Sequence, residues 1–135
     1  ILTFRNTHGW IGADLADTVF AEFARVLKPG GILGVVQHRA PEGSDPEKLA
    51  DSGYVSEAAV VALAKQAGLY LEARSEVNGN PADTHDHEAG VWTLPPSMSL
   101  CRDVEGEDEI AACRAKYQAI GESDRMTLRF RKPLM

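Results

Sequence analysis

The run Arg25-Val26-Leu27-Lys28-Pro29-Gly30-Gly31, leading into Ile32-Leu33-Gly34-Val35-Val36-Gln37-His38, constrains the fold more than any other stretch. Pro29 has no N–H and pushes Lys28 out of the α region, so a helix must end here. Gly30 and Gly31 tolerate the positive φ that a chain turning back into a sheet often needs. Lys28 puts a cation near the carbonyl end of the helix dipole. The residues after the turn are apolar at consecutive positions, which predicts a strand covered on both faces. Helix, reversal and buried strand together predict a layered α/β domain.

The rest of the chain is placed around this unit. Ile1 to Phe4 reads as a strand and Arg5 to Gly12 as a polar turn. A helix is expected from about Asp14 to Leu27, with Leu15, Val19, Phe23 and Val26 on one stripe. Arg39 to Gly53 is rich in Pro, Gly, Asp and Glu, and reads as a loop. Ser56 is a candidate N-cap for a helix that Gly68 stops.

Leu69 to Val77 and Met126 to Arg131 both alternate apolar and polar, so each has one buried and one wet face. The wet faces carry Glu72 and Glu76 on one strand and Arg129 and Arg131 on the other, which favours pairing between them. Residues 78–105 form a loop insertion, and residues 107–120 a helix with Ile110, Cys113, Tyr117 and Ile120 on one stripe.

Composition narrows the function. The 135 residues are enough for one domain or part of one, with 44% hydrophobic and 25% charged residues, as in ordinary globular proteins. A net charge of -6 argues against a nucleic-acid partner, since no basic stripe outweighs the acids. No apolar run approaches membrane-spanning length, so no membrane partner is expected, and without a visible secretory signal a cytoplasmic location is expected, with a secreted or periplasmic parent as the alternative. The chain begins at Ile1, already inside an apolar run, which suggests a piece cut from a longer protein. Cys101 and Cys113 are too few for a disulfide framework, and Cys113 reads as a small core residue. His85-Asp86-His87-Glu88 has no third ligand fixed by spacing, so no metal site is expected.

These elements resemble the C-terminal half of a class I S-adenosylmethionine-dependent methyltransferase. Arg25 to Gly31 is similar to the family's usual run before its fifth strand, and Phe4-Arg5-Asn6 with His8 and Trp10 to the end of its fourth. The closing strands resemble its sixth and antiparallel seventh. The stretches Asn80 to Thr84, Gly90 to Pro96 and Gly121 to Leu128 resemble a bacterial subgroup of the family.

The resemblance implies an α/β fold forming the C-terminal part of a Rossmann-like sheet, with strands equivalent to 4, 5, 6 and antiparallel 7. It also implies S-adenosylmethionine as cofactor and a small-molecule acceptor. The family's Gly-rich loop and ribose-holding acid have no counterpart here, because Gly30 to Gly34 precedes a strand where that loop should follow one.

In open α/β sheets ligands bind beyond the carboxyl ends of parallel strands, here at Arg5 to His8 and Gln37 to Arg39. Arg5, Asn6 and Thr7 are the expected cofactor contacts. His8 is the candidate general base, because its ordinary pKa lies near neutrality. Trp10, His38, Arg39 and Tyr54 are the expected substrate contacts. Two other readings stand beside this one, a non-catalytic Rossmann-like interaction module and a nicotinamide-dependent Rossmann enzyme. Strand 1–4, lacking a neighbour on one side, is expected to pair two copies into a homodimer.

Overall fold

Strand β1 (Leu2–Phe4) leads into helix α1 (Thr7–Gly12) and then helix α2 (Ala16–Val26) in the computed structural model, which describes residues 1–135. The expectation of a polar turn across residues 5–12 is therefore corrected. Trp10 and Ile11 pack against the core from α1, and that burial outweighs the poor helix propensity of Gly9 and Gly12.

Helix α2 stops as its sequence demands. Leu27 is extended, and Gly30 takes φ +78°. A Cβ on Gly31 would sit 2.8 Å from the Lys28 carbonyl oxygen. The cation at the helix end is Lys132, whose Nζ donates to the carbonyls of Ala24 at 2.6 Å and Leu27 at 2.7 Å, while Lys28 is exposed.

Strand β2 (Ile32–Ala40) lies parallel to β1, with Leu2 opposite Gly34 and Phe4 opposite Val36. The expected loop after it contains a short helix α3 (Pro46–Leu49) and a 3-10 turn (Ala50–Ser52). Asp45 caps α3 by accepting from the Glu47 amide at 3.0 Å, and Pro46 fits its first turn. Strand β3 (Val55–Ser56) follows, and Ser56 caps α4 (Glu57–Gln66) by accepting from the Ala59 amide at 3.2 Å. After β4 (Tyr70–Ser75) come the insertion, helix α5 (Glu107–Ile120) and strand β5 (Arg125–Arg131).

The sheet order is β1-β2-β5-β4, with β3 paired to β2 and β5 antiparallel to both of its neighbours. Helices α2 and α4 cover one face, where Phe20, Leu33, Val35, Val60, Met126, Leu128 and Phe130 form the core. The charge pairing across β4 and β5 holds, with Glu72 bound to Arg129 at 2.8 Å and to Arg131 at 2.6 Å.

The opposite face of the sheet is uncovered. Leu2 is 71% exposed, Phe4 54%, Tyr70 48% and Ile32 38%. The expectation that β2 is covered on both faces is thus corrected for this chain: its apolar pattern is that of an inner strand, but helices pack on one side only.

Helix α5 buries no residue fully, and its half-buried positions are the expected stripe Ile110, Cys113, Tyr117 and Ile120. The reading of Cys113 as a free core residue is overturned, because it forms a disulfide with Cys101. The bond ties α5 to the 3-10 turn Ser99–Cys101, a tether that suits a helix with so little buried surface.

Candidate functional site

The carboxyl ends of β1 and β2 open into a polar cleft of roughly 250 Å³, lined by Phe4, Arg5, Asn6, His8, His38 and Trp92. Arg5 takes φ +58° as β1 ends, and Asn6 begins α1 without using its side chain as a cap. Both side chains are therefore left at the rim. A larger depression of roughly 320 Å³ between α1, α2, α3 and α4 is lined by Asp14, Asp17, Asp45 and Glu47. It lies away from the strand ends, and no buried polar side chain lines it.

Gln37 organises the floor of the cleft. Its Oε1 accepts from the Thr7 amide at 3.1 Å, and its Nε2 donates to the Gly53 carbonyl at 2.7 Å. These two backbone partners fix the amide's orientation, since a flip would lose both. Nε2 thus also faces His8 Nδ1, at 3.2 Å, as a donor. With Nδ1 accepting, neutral His8 carries its proton on Nε2. The expected general base then has no free lone pair: His8 offers the cleft a donor. Burial holds its pKa below the ordinary value, against the opposing hydrogen bond from Gln37.

His38 sits beside it, the ring centres 5.7 Å apart, and Trp92 meets His8 edge-on at 5.8 Å. His38 Nδ1 is hydrogen-bonded to Ser123 Oγ. Burial, with Arg125, His8 and Arg5 adding to it and Asp83 opposing, pushes the His38 pKa down to about 3.

Behind these rings lies a buried polar network that sequence reasoning missed. Asp83 accepts from Tyr54 Oη at 2.7 Å, His87 Nε2 at 2.9 Å and the amides of His85 and Asp124, each at 2.9 Å. Burial alone would raise the Asp83 pKa, but these hydrogen bonds together hold it below the usual carboxylate value. Asp124 receives Arg39 Nε at 3.0 Å, Arg39 Nη2 at 2.9 Å, the Asn80 amide at 2.8 Å and His85 Nε2 at 3.1 Å.

The cleft therefore gathers Arg5, Asn6, His8 and His38 from the expected set, and separates four others. Thr7, the first residue of α1, is buried and reaches Gln37 through its amide. Trp10 packs on Phe20 and Phe23 in the core. Tyr54 is buried with its hydroxyl committed to Asp83, where its pKa is pushed up by burial and by that carboxylate. Arg39 is taken up by Asp124 and by Glu76, at 2.8 and 2.7 Å. None of these four lines the cleft: protein groups take up the polar atoms of Tyr54 and Arg39, the Trp10 ring lies against the core, and the Thr7 hydroxyl is buried without a partner. Gln37, Ser123 and Trp92 join the site instead.

No family model and no curated protein matches the chain. Among solved structures, a protein assigned as a sarcosine dimethylglycine methyltransferase from Galdieria sulphuraria matches at TM-score 0.51 and 20% identity, covering 88% of this chain and 48% of its own. The fold is methyltransferase-like. The [4+2]-cyclase SpnF matches at TM-score 0.47 and 22% identity, covering 88% of this chain and 44% of its own. The chain spans about half the length of these solved structures. No helix is long and apolar enough to cross a membrane.

Proposed function

We propose that the chain is the acceptor-side half of an S-adenosylmethionine-dependent methyltransferase acting on a small molecule. One observation carries the reading: antiparallel β5 lies between β2 and β4, and a polar cleft opens at the carboxyl ends of the parallel pair β1 and β2. The residues present fit only one end of such a cofactor. Arg5 and Asn6 would hold its amino-acid part from the cleft rim, but no Gly-rich turn opens a helix after a strand. The cofactor supplies an electrophilic methyl group. This chain's part is alignment of the acceptor by the His8 and His38 edges, with Trp92 as a wall. The second reading is a non-catalytic module of the same fold.

Calorimetry with S-adenosylmethionine separates the two. The 135-residue chain alone is expected to bind weakly or not at all, and the same chain within its full natural polypeptide to bind at micromolar concentration. Micromolar binding by the chain alone would overturn the half-site reading. No binding by the full polypeptide would leave the module.

The uncovered sheet face and the unpaired side of β1 support a further proposal, a homodimer through β1. Light scattering is expected to show mass rising with concentration, and Phe4→Lys to suppress the rise. A clean monomer at high concentration would refute it. A cytoplasmic location also stays a proposal, and the Cys101–Cys113 disulfide, a bond typical of oxidising compartments, weighs against it.

A further inference from the structure

We infer that His8 and His38 form a two-point carboxylate-binding site, each ring locked by a neighbouring side chain with its Nε2–H presented to the cleft. The inference does not depend on methyl transfer, because it rests on hydrogen-bond bookkeeping around two rings.

For His8 the lock is Gln37, whose amide orientation is fixed by the Thr7 amide and the Gly53 carbonyl. For His38 it is Ser123. Arg125 Nε donates to Ser123 Oγ at 3.2 Å, and an arginine can only donate. The Ser123 hydroxyl is buried, and His38 Nδ1 is the only acceptor in its reach. If His38 carried its proton on Nδ1, that hydroxyl hydrogen would be left without a partner, at a cost of about 1–3 kcal/mol. The chain Arg125 to Ser123 to His38 Nδ1 therefore places the imidazole proton on Nε2.

Neither Nε2 has a protein partner, and neither is sealed from solvent. Both rings line the same cleft, with centres 5.7 Å apart. A planar carboxylate that accepted one N–H at each oxygen, at about 2.9 Å, would bridge two such donors. Arg5 lines the cleft and Arg125, paired with Glu122, lies behind His38; at the His38 ring these two cations act against the one opposing carboxylate, Asp83, which favours an anion. Because the rings are neutral, they discriminate by geometry and by donor count. A cationic head group would meet N–H edges and the Arg5 guanidinium.

The experiment is a long-range ¹H–¹⁵N correlation spectrum of histidine-labelled protein at neutral pH, followed by titration with sodium acetate. Sodium phosphate and tetramethylammonium chloride at matched ionic strength serve as comparisons. Expected are Nε2–H tautomers for both rings and saturable acetate shifts at both, with neither comparison salt doing the same. Ser123→Ala is expected to release the His38 tautomer and reduce acetate affinity several-fold, and Ser123→Thr, which keeps the hydroxyl, to restore both. An Nδ1–H tautomer at either ring would overturn the proposal. So would acetate shifts that tetramethylammonium reproduces, or phosphate binding as tight as acetate. Retention of the His38 tautomer and acetate affinity in a folded Ser123→Ala variant would also count against it.

Discussion

Asp83→Ala is expected to lower the unfolding free energy by about 3–5 kcal/mol, read as a large fall in the urea midpoint. The Asp83 side chain is fully buried, and it accepts from Tyr54, His87 and two backbone amides that all lie in or beside the insertion. Removing it leaves those donors unpaired in a site water does not reach, at about 1–3 kcal/mol for each that finds no substitute. Asp83→Asn should cost less, because its carbonyl oxygen still accepts, although its amide then faces donors. Trp92 is carried by the same insertion, so Asp83→Ala should also loosen the cleft wall and lower acetate affinity. A loss under about 1 kcal/mol would show that the network is not what anchors the insertion.

The sequence made the frame legible where local chemistry decides structure. Pro29 and Gly30 end a helix whatever surrounds them, and Ser56 caps one with its own hydroxyl. Alternation marked the buried face of β5, but in β4 a register shift between Leu71 and Ala73 interrupts the period and Val77, expected inward, is exposed beyond the strand's end. The site was less readable, because it is assembled over long separations. His38 and Ser123 stand 85 residues apart, and Asp83 and the Asp124 amide 41. Nothing in a local window says that Asp83 will be buried or that Ser123 will meet a ring. The tautomer of His8 depends on Gln37, which the sequence places at a strand's carboxyl end but not against the His8 ring.

Helix α1 was hidden for a related reason: its formation follows from packing Trp10 and Ile11 into a core that the window does not contain. The same packing removed Trp10 from the site. The consecutive apolar residues of β2 signal an inner strand, yet helices cover only one of its sides. One usable signal was present for the network: Asp83, His85 and His87 recur at alternate positions of a turn-rich loop, a spacing that lets one carboxylate collect several donors.

Stability is expected to fall as pH drops below about 6.5 toward 3, a loss that begins well before the carboxylates titrate. His38 has an ordinary pKa of 6.5 and a folded value of about 3, so over this range the unfolded chain takes up a proton that the folded chain refuses. The unfolded state binds more protons, and linkage therefore makes folding less favourable as pH falls. Between pH 6.5 and pH 5 the loss is about 2 kcal/mol, and by pH 3 roughly 4–5 kcal/mol.

His8 acts in the same direction, since burial lowers its pKa too. Asp83 and Asp124 contribute stability above the ordinary carboxylate value and lose it only as pH falls below that value through their depressed folded pKa values. The two windows are separable. Urea midpoints measured across pH 7 to 4 should slope downward in the natural protein and flatten in His38→Gln. An NMR titration should find the His38 ring neutral at pH 5. A flat natural profile, or a His38 ring that protonates near 6.5, would mean that Ser123 and the surrounding burial do not hold it neutral. The donor pair at the mouth of the cleft would then lose its basis.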